Sequence, residues 1–184
     1  IDIKRALTVR YNDFCDKIIR PKGQPILMDI ITLVNELVTG LLAVEDKFID
    51  NLQDFPTMEK DVSELTSRTA AEFLSMALTN ADQMIYENRY RKDHYTVIRK
   101  RQRTLISSVG GISFTHTLYK DEDGKTRTLL DEALNLPDRE RFTSTAEAKI
   151  INEAEVHSYQ HAADSLNING QTIAKTSVMN KIHD

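Results

Sequence analysis

The sequence predicts an α+β chain with three parts: a long helical hairpin, a small three-stranded antiparallel sheet, and C-terminal helices of helix-turn-helix type. Three observations predict this class. Apolar residues recur every three or four positions across 26–95, alternate with polar residues across 112–119, and return to helical spacing after residue 143. These changes of period divide the chain into a lead-in segment (1–25), the hairpin (26–100), a β-meander (101–135) and a helix-turn-helix-like segment (136–184).

Two long amphipathic helices form the predicted hairpin. The first covers 26–53, and the second runs from Thr57 to about Tyr95. Asp54-Phe55-Pro56 interrupts them, and two amphipathic helices joined by so short a turn favour an antiparallel pair. Their apolar faces fit a plain helical core or a homodimer interface. In the lead-in segment, a short helix is predicted at 11–19.

The sheet is predicted from strict alternation of apolar and polar residues across 112–119. Gly110-Gly111 favours a tight hairpin back to a strand at 104–109. A charged turn at 121–124 leads to a third strand at 125–130. A sheet of this size must pack its apolar face on a helix to be stable.

The C-terminal segment has the pattern of a helix-turn-helix. Ser144 with Glu147 resembles a capping box, and Ser158 is predicted to begin a second helix, at 159–166. After a turn at 167–171, apolar anchors on a helix at 173–182 leave five polar side chains facing outward: Thr172, Lys175, Thr176, Asn180 and Lys181. Such side chains hydrogen-bond base edges and phosphates, although an ordinary helical subdomain fits the pattern too.

A basic run lies between the hairpin and the sheet. Only two acidic residues, Glu87 and Asp93, accompany its seven cations. The cations are Arg89, Arg91, Lys92, Arg99, Lys100, Arg101 and Arg103. Such a run can neutralise several phosphates of double-stranded DNA, and each contact makes binding more salt-sensitive. The alternative is a solvated helix end followed by a strand edge that lysine and arginine protect.

Composition excludes several classes. The 184 residues carry a net charge of −4, so the chain is not uniformly basic. A single cysteine, Cys15, excludes an intrachain disulfide and a cysteine-based zinc site, and is typical of a reducing cytosol. Asp29 and Glu36 interrupt the most apolar stretch, which therefore predicts a soluble helix and no membrane span. With no targeting signal, a cytoplasmic protein is expected.

No catalytic constellation is evident, so the chain is predicted not to be an enzyme and to need no cofactor. Phosphate-loop, dinucleotide and nucleophile-elbow motifs are missing. Glu153, His157 and His161 are spaced four apart and would share one face of a continuous helix. Because Ser158 is predicted to break that helix between the histidines, no metal site is expected.

Three segments, 101–120, 129–137 and 140–144, resemble the N-terminal half of the Lre-type insertion-sequence transposases of bacteria. That pattern has a basic lead into a strand, a charged turn, L-L-D-E, E-R-[IF]-[ST], and then S-Y-x-x-A-A-x-x-L. The positions that match its helix-turn-helix are Ser158, Tyr159, Ala162, Ala163, Leu166, Ile173, Ala174, Ser177, Val178, Asn180 and Ile182. The resemblance covers about 95–184. His116 stands where the pattern has arginine, and the turn after Leu166 is extended.

The resemblance implies binding to the terminal inverted repeats of a mobile element, and thus a place in DNA recombination. It also implies that the metal-binding carboxylates of strand transfer belong to an RNase H-like domain beyond Asp184. The expected function is therefore the DNA-binding region of a transposase, forming a homo-oligomer. The alternative is a non-enzymatic helical dimerisation or interaction module.

Overall fold

A computed structural model describes residues 26–167 and 172–183. The predicted helix at 11–19 and most of the turn at 167–171 lie outside the described residues. Within the described ranges, seven helices accompany one three-stranded antiparallel sheet, which confirms the α+β class. None of these helices is long and apolar enough to cross a membrane.

The helical hairpin is formed by α1 (Ile26–Asp50) and α2 (Phe55–Glu87). The two helices pack tightly at Gly40, where an added Cβ would lie 2.8 Å from Leu65 Cδ2. Lys47 Nζ lies 2.6 Å from Asp61 Oδ2 and ties the helices together near their connecting turn. The predicted antiparallel pair is confirmed, and glycine at position 40 permits its close approach.

The second helix ends earlier than the predicted Tyr95. Asn88 adopts an extended conformation with ψ of 135°, and its side chain accepts a hydrogen bond from the backbone N–H of Tyr90. Asparagine is favoured at such N-cap positions, so it ends α2 and begins α3 (Arg89–His94). The prediction of one unbroken helix to Tyr95 is therefore wrong.

The sheet contains β1 (Thr96–Ser107), β2 (Gly110–Lys120) and β3 (Thr126–Arg127), in that spatial order. The start predicted for β1, Thr104, is wrong, because the basic residues before it also pair with β2. These residues do not alternate between apolar and polar, so no strand pattern marks them in the sequence. Gly110 follows the two-residue hairpin loop with φ of 124°, a conformation that favours glycine.

The third strand is shorter than predicted. The chain leaves the sheet after Arg127 and forms α4 (Leu129–Ala133). This turn carries Leu130 into a core with Leu105, Phe114 and α2, where only 2% of its surface is exposed. Burial of this leucine explains why the predicted strand to residue 130 is wrong.

Helix α2 also covers the part of β2 that the short β3 leaves unpaired, at 113–117. Three of its polar side chains accept hydrogen bonds from backbone N–H groups of the strand. The pairs are Ser75 with Ser113 at 3.1 Å, Thr79 with Thr115 at 3.3 Å, and Asp82 with Thr117 at 2.8 Å. Their spacing of four and three residues puts them on one helix face. The edge is thereby closed to pairing with another chain.

The C-terminal segment contains α5 (Ser144–Val156), α6 (Tyr159–Asp164) and α7 (Lys175–His183). They surround a second apolar core that includes the predicted anchors Ile173 and Val178 and the small crossing residues Ala162 and Ala163. Backbone hydrogen bonds between Ile106 and its neighbours across the chain, Arg141 and Thr143, join this segment to the sheet.

Two of the three predicted helix starts differ from the observed ones. Thr143, rather than Ser144, caps α5, because its hydroxyl accepts from the Ala146 N–H. Helix α7 begins at Lys175 rather than residue 173, because the Ile173 N–H donates to Asn167 Oδ1 at 2.8 Å and is held outside the helix. The third, Ser158, is confirmed as the N-cap of α6.

Candidate nucleic-acid interface

Three consecutive cations of β1 are exposed. Arg101 faces a cleft on one side of the sheet, with Arg99 near it in the strand. Lys100 turns towards α2, where its Nζ donates to Gln83 Oε1 at 3.1 Å and lies 4.8 Å from the Tyr86 ring centroid. The strand therefore presents positive charge on both of its faces.

Two of the cationic side chains on α3 are exposed to solvent, and one is buried. Arg89 and Lys92 are exposed. Arg91 is 7% exposed, and its guanidinium lies 4.7 Å from the centroid of Tyr86 and 5.6 Å from that of Tyr119. Cation–π contacts of this kind stabilise packing, so Arg91 supports the fold beneath the basic surface.

Arg103 is also engaged inside the protein. Its Nη1 lies 2.6 Å from Asp131 Oδ2, which lies 2.9 Å from His116 Nδ1. The same guanidinium donates to the carbonyl oxygens of Pro137 and Glu140. Arg103 thus holds the 137–140 segment against the sheet, and Asp131 joins it to His116 in one buried hydrogen-bonded group.

Burial acts to raise the pKa of Asp131, but the hydrogen bond from His116 and the charge of Arg103 outweigh it and hold that pKa below its ordinary value. The neighbouring Glu132 pairs with Arg127 at 2.6 Å. Each carboxylate of the L-L-D-E stretch therefore fixes an arginine of the sheet.

A cleft of about 860 Å³ lies between the sheet and the 136–141 segment. Five arginines line it: Arg101, Arg103, Arg127, Arg139 and Arg141. Arg103 and Arg127 are paired with carboxylates. Arg139 and Arg141 are exposed, and within the described part of the chain neither forms an ion pair. The free guanidinium groups make this cleft a suitable surface for an anion.

A second groove, of about 350 Å³, continues from Arg139 and Arg141 to Asn180 on α7. The same short segment therefore borders both cavities and joins the basic strand to the helix-turn-helix. Sequence reasoning missed these two arginines as binding residues because they lie outside the basic run. The only signal was Arg141 within the E-R-F-T stretch.

The polar face of α7 is mostly as predicted. Lys175, Thr176 and Asn180 on α7 are exposed, as is Thr172 just before the helix. The prediction that Lys181 points away is wrong, because its Nζ lies 2.9 Å from Glu140 Oε2 and 3.4 Å from Glu147 Oε1.

Lys181 holds α7 in place through Glu140. Burial acts to raise the pKa of Glu140, but hydrogen bonds from the Phe142 N–H and from Lys181 lower it below its ordinary value. Because that carboxylate also accepts from the Arg141 N–H, it fixes the basic segment and α7 relative to each other.

Glu153, His157 and His161 lie close together although the helix breaks at Ser158 between the two histidines. One ligand atom from each of Glu153, His157 and His161 lies within 4.8 Å of the others. The expectation that the break would part them is wrong, because α6 turns back so that His161 lies beside the end of α5.

These features define an α+β domain in which an arginine-lined cleft connects a basic strand with a helix-turn-helix-like segment. Residues 48–184 match the uncharacterised protein family UPF0236. The chain belongs to this family.

Relatives in the same family come from Caldanaerobacter subterraneus subsp. tengcongensis. One UPF0236 protein is 26% identical over 160 residues, which cover 86% of this chain and 33% of the relative. A second is 28% identical over 124 residues, which cover 67% of this chain and 26% of that protein. The chain thus spans a third or less of the length of these curated relatives.

Proposed function

We propose that this chain is the DNA-binding region of a transposase-like protein, that it recognises the ends of a mobile element, and that it carries no strand chemistry itself. One observation carries the proposal. Free cations run from Arg101 on β1 through Arg139 and Arg141 to the exposed polar face of α7. Such a path suits the phosphate backbone of a duplex whose major groove receives a helix.

The two ends of this path have different roles in the proposal. Cations of β1 and the 139–141 segment contact phosphates, which position the protein but carry no sequence information. On α7, Lys175, Thr176 and Asn180 face solvent above the buried anchor Val178 and reach base edges. Arg91, Arg103 and Lys181 act indirectly by holding these elements in place.

The relatives support the mobile-element part of the proposal. One of them bears a name that joins eleven locus designations within a single organism, and another bears four. We interpret these designations as separate gene copies. Repeated copying of one gene within a genome is the outcome expected of an element that moves.

Strand transfer needs carboxylates that are free to hold divalent ions. Four carboxylates line the cleft, and three of them, Asp131, Glu132 and Glu140, are held by arginine, histidine or lysine side chains. Asp138 alone is exposed without an ion pair among the described residues, and one carboxylate does not make a two-metal site. The proposal therefore places cleavage and joining outside this chain.

Asn180→Ala is expected to reduce the preference for the element's end sequence. Removing a good bidentate hydrogen-bond pair to a base changes discrimination by about 1–3 kcal/mol, whereas binding to a scrambled duplex should stay nearly constant. Fluorescence anisotropy with a terminal-repeat duplex and a scrambled duplex measures both. Asn152→Ala, an exposed asparagine on α5, is the matched control. Unchanged discrimination in Asn180→Ala would remove α7 from the recognition surface.

A further part of the proposal is homodimerisation through the hairpin. Helix α1 has one apolar face against α2 and a second that remains exposed. The exposed face includes Ile31, Val34, Val38, Leu41, Leu42 and Ile49. Ile31, Val34, Val38 and Leu41 follow the a and d spacing of a coiled coil, with Leu42 and Ile49 beside them, and two bound protomers would pair the two ends of an element.

Light scattering tests this dimer directly. The intact chain is expected to have twice the mass of the monomer, and Val38→Asp with Leu42→Asp is expected to give a monomer. Both positions are about half exposed, at 49% and 55%, so the hairpin itself should remain folded. Thr39→Asp with Ala43→Asp, two exposed positions on the side of α1 away from both apolar faces, is the control. A monomeric intact chain over a broad concentration range contradicts the dimer and also weakens the interaction-module alternative.

A further inference from the structure

A cluster of three ligand-type side chains lies at the corner between α5 and α6. Glu153 belongs to the last part of α5, His157 is the C-cap of that helix, and His161 lies in α6. Glu153 Oε2 and His161 Nε2 are 3.7 Å apart, and the two imidazole centroids are 4.3 Å apart. All three ligand atoms lie within 4.8 Å of one another.

We propose that Glu153, His157 and His161 bind one divalent transition-metal ion, with Zn²⁺ as the best fit. Two imidazoles and one carboxylate are a ligand set that zinc accepts, leaving a fourth position for water. Tetrahedral bonds of about 2.0–2.1 Å put ligand atoms roughly 3.3 Å apart. The separation of Glu153 and His161 is close to this value, and small rotations of exposed side chains close the rest.

The backbone brings these groups together without the metal. The His157 N–H donates to the carbonyl oxygen of Glu153 at 2.8 Å and ends α5. Ser158 then caps α6 by accepting from the His161 N–H at 3.2 Å, which returns His161 to the same side. Because both hydrogen bonds are local, the ligands are largely preorganised, and little ordering is needed when the ion binds.

Electrostatics at this corner also favour a cation. The C-terminal end of a helix carries partial negative charge. The last turn of α5 contains no basic residue that would offset it. Glu153 and Glu155 add carboxylate charge close to the same helix end.

A bound ion would link the last turn of α5 to the first turn of α6. The angle between these helices positions the second apolar core, to which α6 and α7 both contribute. Metal binding at this corner would therefore stabilise the helix-turn-helix-like segment, whether or not that segment binds DNA.

Isothermal titration of the untagged chain with Zn²⁺ is the direct test. One ion per chain is expected at micromolar affinity. His157→Ala and His161→Ala should each weaken binding by more than about a hundredfold, because the loss of an outer-shell partner alone commonly costs about 10–100-fold. Glu153→Gln should also weaken it. Co²⁺ should give the absorption bands of a tetrahedral ion in the intact chain but not in either histidine variant.

His94→Ala is the matched control, because His94 is an exposed histidine beside one carboxylate, Glu122, and belongs to no three-ligand group among the described residues. It should leave Zn²⁺ affinity unchanged. Circular dichroism should show all variants folded, since both cluster histidines are exposed. The intact chain should also melt at a higher temperature with Zn²⁺, because the ion binds the folded state. No saturable binding, or equal binding by His157→Ala and His161→Ala, would overturn the proposal.

Discussion

Replacing Asp131 with alanine is expected to lower the free energy of unfolding by about 3–5 kcal/mol. The side chain is only 5% exposed, and its carboxylate pairs with Arg103 and hydrogen-bonds with His116. Its removal leaves the Arg103 guanidinium, itself 11% exposed, without its carboxylate partner. The 137–140 segment, which Arg103 fixes through two carbonyl oxygens, should loosen as well. Urea denaturation followed by circular dichroism measures the loss.

Glu132→Ala is the control from the same turn. Its ion pair with Arg127 is about two-fifths exposed on each side, so the change in stability should be small. Equal denaturation midpoints for Asp131→Ala and the intact chain would show that the buried group does not hold the sheet to the basic segment.

Stability should also depend on pH through Asp131. Its folded pKa is lowered, so its contribution is present above the unfolded pKa of about 4 and is lost as pH falls through the folded value. The gap in stability between the intact chain and Asp131→Asn should therefore narrow as the pH falls below about 4.

Changing Arg99, Lys100 and Arg101 together to alanine is expected to weaken binding to every duplex by about a hundredfold at low salt. These side chains are exposed and consecutive on β1, with Lys100 on the opposite face of the strand from its neighbours. If each binds a phosphate, the slope of log affinity against log salt should flatten by roughly one unit for each phosphate that is no longer bound. The preference for the terminal-repeat sequence over a scrambled one should remain, because phosphate contacts carry no sequence information.

The matched control removes three other exposed cations instead: Lys60, Arg68 and Lys125. None of them lines the cleft, and their removal changes the net charge by the same amount. A similar loss of affinity in both triple variants would mean that net charge, rather than the basic strand, accounts for binding.

The hairpin, β2 and the C-terminal anchors could be predicted from the sequence because their apolar residues follow a clear period. The start of β1 could not, since Arg99, Lys100 and Arg101 have no apolar alternation although they pair with β2. The end of α2 was also missed, because the Asn88 side chain accepts a hydrogen bond from the Tyr90 N–H and starts a new helix there.

The candidate interface was only partly predictable, for a different reason. Charge can be counted in a sequence, but its partners are set by the fold. Arg103 and Lys181 look as available as Arg101 until Asp131 and Glu140 are brought to them from distant parts of the chain. Conversely, Arg139 gains its position only because the 136–141 segment folds over the sheet.

In the proposed function, the basic strand, the 139–141 segment and α7 form one surface for duplex DNA. The most direct measurement is fluorescence anisotropy of the intact 184-residue chain with a terminal-repeat duplex and a scrambled duplex across a salt series. The predicted result is binding to both at low salt, tighter to the terminal repeat, with affinity falling steeply as salt rises. No binding to either duplex at low salt would contradict the claim and leave the helical interaction module as the better account.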